Sequence, residues 1–169
     1  MELIFNVLLG STLFMYAWQM FGVSERKTTG IVGAVGALGI VSIATFKPVA
    51  MLTKVEAAPM AVLMFVGATY CALVAATGLW DFDTRGLGFW SILGVVTGLG
   101  QLAYSVSVAY HLSGIIEGIG LSVAFAVLFF HLGLRNQGLR LVTAWVFLVV
   151  SILFVLLTVG IIFKVPGLI

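Results

Sequence analysis

Apolar residues occupy six long runs of the chain, and short polar segments separate these runs. The runs cover residues 3–21, 30–46, 60–79, 87–110, 115–132 and 141–163. Each run is near the roughly 17–25 residues that a helix needs to cross a bilayer, the second at the short end. Backbone groups in lipid must be satisfied within their own segment, which favours helices. The pattern therefore predicts an all-α integral membrane protein, with residues 1–169 forming a single domain of six transmembrane helices.

Three of the polar segments are bracketed by glycine and recur at nearly equal intervals. They read Gly-Val-Ser-Glu-Arg-Lys-Thr-Thr-Gly at 22–30, Gly-Leu-Trp-Asp-Phe-Asp-Thr-Arg-Gly at 78–86 and Gly-Leu-Arg-Asn-Gln-Gly at 133–138. The interval matches two membrane crossings of about 20 residues each plus their loops. We therefore expect a bundle built from three helical hairpins in series, with all three glycine turns on the same side of the membrane.

The composition agrees with a membrane protein and excludes several other classes. Hydrophobic residues make up 62% of the chain, charged residues make up 8%, and the mean hydropathy is +1.25. A soluble domain carries about 25% charged residues. The first run has no basic segment before it, so we expect it to remain as a helix rather than to act as a cleaved signal peptide. The net charge of +2 is too small to indicate a nucleic-acid partner.

The basic residues predict the orientation of the bundle. Five of the eight lie in or beside the glycine turns, namely Arg26, Lys27, Arg85, Arg135 and Arg140. Short cytoplasmic loops carry an excess of lysine and arginine. We therefore expect the glycine turns in the cytoplasm and both termini outside.

The residue pattern gives no sign of an enzyme. It contains no nucleophile–base pair, no phosphate-binding glycine loop and no metal-ligand constellation. The lone Cys71 excludes a disulfide framework, and His111 and His131 fall on opposite sides of the predicted membrane. Turn capping and local ion pairing explain Asp81 and Asp83. We expect no enzymatic activity, no metal and no cofactor.

Glycine is concentrated in the second and fourth runs. Small residues three or four positions apart let helix backbones approach closely in lipid. We expect these glycines to form tight helix interfaces, and a glycine-lined permeation path is the secondary interpretation. The positions concerned are Gly30, Gly33, Gly36, Gly39, Gly94, Gly98 and Gly100.

Glu117 is the one carboxylate that we expect inside a predicted helix. An ionisable group within the membrane is costly unless it faces protein, water or a partner, which makes it a functional candidate. It also lies only two or three residues past a loop, where it could reach water at the headgroups. As a vestibule carboxylate it would accept hydrogen bonds from the NH2 groups of an amide or urea. Both locations remain open at this point.

Several stretches of the chain also contain distinctive combinations of residues, in addition to the spacing of polar and apolar segments. Residues 22–29 form the first turn, and residues 68–81 read Ala-Thr-Tyr-Cys-Ala-Leu-Val-Ala-Ala-Thr-Gly-Leu-Trp-Asp. The latter stretch runs into Arg-Gly-Leu-Gly-Phe-Trp-Ser at 85–91, and Glu117-Gly118 follows near the start of the fifth helix. Together they resemble the first turn, the threonine-tyrosine third helix, the entry to helix four and the glutamate-glycine start of helix five in the amide transporter and urea channel family (AmiS/UreI). The likeness spans most of the chain at low identity.

The resemblance implies both an assembly and a function. Members of the family form compact six-helix protomers in hexameric rings, and each protomer has its own pore in the bacterial inner membrane. They pass urea or short-chain amides passively. The chain would then have small neutral solutes, membrane lipid and further copies of itself as partners.

The resemblance also implies a set of pore residues. Thr69 and Tyr70 match the threonine-tyrosine pair, and Phe125 and Phe129 stand where the family has tryptophans. The two phenylalanines are one helical turn apart and could form a slot for a flat solute. On the sixth helix Trp145 and Ser151 could face the pore, with Ser151 near the family's acidic position.

Each of these residues also has a structural interpretation. Tyr70 could make an interhelical hydrogen bond, and the phenylalanines could belong to the core or face lipid. Serine and threonine in membrane helices often bond their own backbone or a neighbouring helix.

We expect a passive channel for small neutral amides. The alternatives are a structural or accessory subunit of a larger membrane complex, which suits the scarcity of polar residues, or a channel for another small solute. The scarcity of intramembrane charges argues against a proton-coupled transporter.

Overall fold

The computed structural model describes residues 2–46, 58–109 and 112–165. Within these ranges the chain is helical, without strands, and it contains six long helices. Their bounds are α1 Glu2–Phe21, α2 Arg26–Phe46, α3 Ala58–Leu79, α4 Thr84–Tyr104, α5 Leu112–Leu128 and α6 Arg140–Ile162. The fold confirms the all-α class and the six helices that the apolar runs predict.

Short segments of different helical geometry extend three of these elements. A π-helical segment, Ser105–Ala109, continues α4, and another, Phe129–Gly133, continues α5. A 3₁₀ turn, Gln137–Leu139, precedes α6. With these extensions all six helices are long and apolar enough to cross a membrane. His111 lies outside the described residues.

The helices differ in how much of their surface is buried. In their most apolar stretches, 50%, 56% and 44% of the residues of α1, α3 and α5 are buried, against 28%, 22% and 33% for α2, α4 and α6. Each helix packs on the next in the chain, and α6 returns to α1. The odd-numbered helices therefore form the inside of the bundle, and the even-numbered helices cover it.

The most extensive contacts join α2 to α3, α4 to α5 and α1 to α6. These pairs belong to different predicted hairpins. The helices that the glycine turns connect also touch, but over less of their length.

Glycines set the spacing of the closest helices. A methyl group on Gly33 of α2 would lie 2.8 Å from the carbonyl oxygen of Cys71 on α3. A methyl group on Gly98 of α4 would lie 3.0 Å from the carbonyl oxygen of Gly118 on α5. These distances confirm the prediction of tight helix interfaces at both positions. Gly100, by contrast, has open space around it.

The three glycine turns meet at one end of the bundle. Arg26, at the start of α2, forms an ion pair with Asp81 in the second turn at 3.2 Å and donates to the carbonyl oxygen of Thr77 at 3.1 Å. Arg140, at the start of α6, donates through Nε to the carbonyl oxygen of Met20 at 2.8 Å. Both arginines thus reach the last turn of an inner helix, where the backbone dipoles favour a cation.

Candidate functional site

The inside of the bundle is a largely apolar core, in which the described residues also include twelve buried polar side chains. Phenylalanine, leucine and methionine fill most of it, including Phe5, Leu9, Leu13, Met64, Leu121 and Leu128. A buried polar group is costly unless it is hydrogen-bonded. The polar groups that interrupt this core are therefore the candidates for function.

The first of these polar groups is a pair formed by Asn6 on α1 and Glu117 on α5. Asn6 is fully buried and Glu117 is 1% exposed. The Asn6 Nδ2 atom donates to Glu117 Oε1 at 2.5 Å. The carboxyl group is therefore enclosed by the protein, and whether it lines a solute path stays a prediction.

The sequence analysis missed Asn6. It lies in the run Leu-Ile-Phe-Asn-Val-Leu-Leu near the beginning of the chain, where an asparagine is easily taken for an exposed residue at a helix end. The signal that could have found it is a lone amide flanked on both sides by apolar residues within a membrane span.

The second polar group is the hydroxyl of Tyr70 on α3. The Tyr70 side chain is fully buried, and its ring meets that of Phe125 on α5 edge to face, with the centroids 5.1 Å apart. Phe125 is 2% exposed. The structure thus joins two of the predicted site residues in one contact between inner helices.

Two buried polar atoms of these groups lack a hydrogen-bond partner among the described residues. They are Oδ1 of Asn6 and the hydroxyl oxygen of Tyr70. Most buried polar atoms in folded proteins are paired with protein or ordered water, so each exception requires an explanation. A small polar molecule inside the bundle would supply the missing partners.

The two groups lie at different depths. Glu117 and Phe125 are eight residues apart on one continuous helix, which corresponds to about 12 Å along its axis. The Asn6–Glu117 pair lies near the end of the bundle that carries the N-terminus, and the Tyr70–Phe125 contact lies closer to the middle. Beyond them Tyr16, also buried, packs on Phe147 with the ring centroids 5.9 Å apart. The three contacts therefore lie one after another along the length of the bundle.

Two of the predicted pore residues donate hydrogen bonds to backbone carbonyl groups of their own helices. The Thr69 hydroxyl donates to the carbonyl oxygen of Phe65 at 2.9 Å, and the Ser151 hydroxyl donates to that of Leu148 at 2.8 Å. Ser151 is buried and Thr69 is half-buried. Their geometry matches the structural interpretation of serine and threonine in membrane helices.

The rings of Phe125 and Phe129, which the sequence predicts to form a slot, contact different partners in the structure. The Phe129 ring is only half-buried and contacts Phe89 on α4 and its neighbour Phe130, with centroids 6.1 and 5.5 Å away. The Phe125 ring contacts Tyr70 instead. The two rings therefore contact different helices, although they are four residues apart on the same helix.

Trp145 lies on the outside of the bundle, and the prediction that it faces the interior is wrong. It is 59% exposed, and its ring packs edge-on against Phe21 of α1 at 5.2 Å. It lines an open apolar groove of about 410 Å³ between α5 and α6, together with Ile119 and Val149. Trp145 thus belongs to the exposed face of α6.

Comparison with known proteins gives no match to this chain among family models, curated proteins or solved structures. The resemblance to the AmiS/UreI family rests on the residues quoted above and stays a prediction. The functional argument therefore depends on the geometry of Asn6, Glu117, Tyr70 and Phe125.

Proposed function

We propose that the protein is a passive channel for small neutral amides, such as urea or short-chain aliphatic amides, in the bacterial inner membrane. One observation carries the proposal. Six apolar helices enclose buried polar atoms on Asn6 and Tyr70 that have no partner in the described part of the chain, and Asn6 is bonded to Glu117. Such atoms suit the path of a solute that forms hydrogen bonds as it passes.

The chemistry of these atoms is complementary to a primary amide. Glu117 and Asn6 Oδ1 are acceptors, and the Tyr70 hydroxyl can donate. Urea and acetamide carry NH2 donors and a carbonyl acceptor in one small molecule. They can therefore form hydrogen bonds both with the Asn6–Glu117 pair and with the Tyr70 hydroxyl. A hydrated ion would lose its water shell in this apolar core without the ring of charges or carbonyls that ion channels provide.

The Tyr70–Phe125 contact is the proposed constriction. Both rings are buried and touch at 5.1 Å, so a solute passes only when one of them turns aside. A flat amide can then remain in contact with the ring faces while its carbonyl oxygen accepts from the Tyr70 hydroxyl. In the proposed mechanism, the contact between these two rings is the closed state.

The proposed arrangement in the membrane is three hairpins with their glycine turns in the cytoplasm and both termini outside. The contacts of Arg26 and Arg140 at the turn end support it, because they gather basic residues at the end that the positive-inside rule assigns to the cytoplasm. A homo-oligomer, and a hexamer in particular, is implied by the family resemblance alone.

Stopped-flow light scattering on proteoliposomes tests the proposal. Vesicles that contain the purified protein would be mixed with gradients of urea, acetamide and glycerol, beside vesicles without protein. We expect faster equilibration of at least one amide than in the protein-free vesicles, and a smaller effect on glycerol. Permeabilities equal to those of protein-free vesicles for all three solutes would contradict the proposal.

A second candidate function is a structural or accessory subunit of a larger membrane complex. The close packing of the interior favours it, because Tyr70 and Phe125 are in contact and no open path separates them. The broad apolar surface of α6 also suits contact with another membrane protein. The same vesicle experiment separates the two functions, since a subunit of this kind would give no amide flux.

A further inference from the structure

We infer that the side chain of Asn6 is a built-in mimic of the solute, and that it occupies the amide-binding position on Glu117 until a solute displaces it. The inference rests on the proposed function, since it describes how the same site is occupied at rest. It makes Asn6 a residue that sets the affinity and the selectivity of the channel.

Asn6 and the proposed solute carry the same functional group. The asparagine side chain ends in a primary carboxamide, the functional group of acetamide. Its Nδ2 atom donates to Glu117 Oε1 at 2.5 Å inside a buried site. A solute amide would make the same contact with one of its own N–H groups. The position on Glu117 is thus already shaped for an amide.

The second argument is that Asn6 is only half satisfied. Its NH2 group is bonded, but its Oδ1 atom is buried without a partner among the residues that the structure describes. A buried acceptor left unpaired is costly, so a purely structural asparagine would be expected to pair both ends. A solute amide can remove this cost, because its NH2 group has a second hydrogen to donate to Oδ1.

The third argument is that the contact can break without opening a packed interface. The helices that pack extensively on α1 are α2 and α6, and α5 packs mainly on α4 and α6. Asn6 and Glu117 therefore bridge two helices that have little other direct contact in the described part of the bundle. Rotation of the Asn6 side chain would break this one hydrogen bond to Glu117 and leave the main helix contacts in place.

The described core on either side of this pair is mostly apolar. It includes Phe5 and Leu9 on the helix of Asn6 and Leu121 one turn after Glu117. An arriving amide therefore competes directly with the Asn6 carboxamide for Glu117. This competition raises the solute concentration needed to half-saturate the channel, and it favours solutes that donate two N–H groups.

Tracer exchange measures the competition. Uptake of radiolabelled acetamide into proteoliposomes would be followed at increasing acetamide concentration for the natural protein, Asn6→Ala and Asn6→Leu. Both variants remove the competing amide, and the leucine keeps its volume. We expect the half-saturating concentration to fall about three- to tenfold, the equivalent of one hydrogen bond. Ser11→Ala is the matched control, because the Ser11 hydroxyl is exposed and bonds its own helix at Val7. It should leave the value unchanged.

An unchanged or higher half-saturating concentration in both Asn6 variants would overturn the inference. The first result would make Asn6 a structural residue, and the second would show that the hydrogen bond from the solute to Oδ1 outweighs the competition for Glu117.

A measurement on the natural protein covers the case in which the variants do not fold. Asn6 and Asn136 are the only asparagines in the chain, so ¹⁵N-asparagine labelling gives two side-chain amide signals in a magnetic resonance spectrum. Asn136 lies in an exposed turn and accepts from Gly138, which makes it an internal control. Added acetamide should shift the Asn6 signal and leave the Asn136 signal in place.

An Asn6 signal that stays fixed at acetamide concentrations that saturate transport would also overturn the inference. The proposed function and the proposed role of Asn6 can be contradicted separately. Absence of amide flux in the natural protein contradicts the proposed function. Normal flux with an unresponsive Asn6 contradicts only the role of Asn6.

Discussion

At the residue scale, the account depends on a few polar groups in an apolar interior. The sequence singles out Glu117 because a carboxylate is rare inside membrane helices, and Tyr70 because it matches the threonine-tyrosine pair of the family that the chain resembles. It does not show that Glu117 is bonded to Asn6, since that contact joins helices at opposite ends of the chain. Nor does it show that the Thr69 and Ser151 hydroxyls are satisfied locally, because the composition of a helix does not determine side-chain rotamers.

The hydroxyl of Tyr70 has a testable role that its ring does not share. Tyr70→Phe removes the unpaired oxygen and keeps the edge-to-face contact with Phe125. We expect amide flux to fall at least severalfold while thermal stability is unchanged or slightly higher, because an unsatisfied buried group has been removed. Tyr16→Phe is the matched control, since Tyr16 is also buried against a phenylalanine. Full flux in Tyr70→Phe would assign the solute contact to another group.

The Asn6–Glu117 hydrogen bond should also affect the free energy of unfolding. Asn6→Leu or Glu117→Leu alone leaves a buried polar partner, and each should lower the free energy of unfolding by about 1–3 kcal/mol. The double variant removes both sides of the contact and should lose less stability than the two single effects added together. Thermal unfolding in detergent measures the cycle. Simple additivity of the two single effects would mean that the pair is not coupled.

At the element scale, the apolar runs predict the helices well and their ends less well. The helix α2 begins at Arg26, four residues before the apolar run that predicts it, and α4 begins at Thr84 after an Asp83 cap that accepts from the Arg85 amide. Hydropathy reports contact with lipid or core, whereas helix starts depend on capping and backbone hydrogen bonds. Hydropathy also carries no signal for ring contacts, so the sequence could not show that Phe125 contacts Tyr70 while Phe129 contacts Phe89.

Glycines at the helix interfaces give a prediction with an internal control. Gly33→Ala places a methyl group against the backbone of α3 and should destabilise the bundle by about 1–3 kcal/mol, because backbone atoms cannot move aside cheaply. Gly100→Ala adds the same methyl group in open space and should be neutral, or stabilising by up to about 1 kcal/mol. Thermal unfolding compares the two. Equal effects would show that α2 and α3 are not packed as described.

At the scale of the whole molecule, the repeated glycine turns predict the gathering of three loops at one end, and the arginine contacts show it. The division into inner and outer helices could not be predicted, because all six runs are similarly apolar in sequence. Burial depends on which faces meet after packing. The contacts Asn6–Glu117 and Tyr70–Phe125 follow from that packing, since each joins helices that are not adjacent in the chain.

Cysteine labelling in cells tests the orientation of the whole bundle. In a Cys71→Ala background, Gln137→Cys in the third glycine turn should resist a membrane-impermeant thiol reagent added outside and react in inverted vesicles. Val165→Cys, near the C-terminus, should show the opposite pattern. Both positions belong to exposed residues. Labelling of Gln137→Cys from outside would contradict the cytoplasmic position of the turns.

The central claim is that the polar groups inside this bundle serve a small amide in transit. Stopped-flow light scattering with an acetamide gradient, on proteoliposomes of the natural protein and of Tyr70→Phe, tests it most directly. The account predicts acetamide equilibration faster than in protein-free vesicles, and a severalfold loss of this gain in Tyr70→Phe. Acetamide permeability indistinguishable from that of protein-free vesicles, with urea and glycerol equally unaffected, would contradict it.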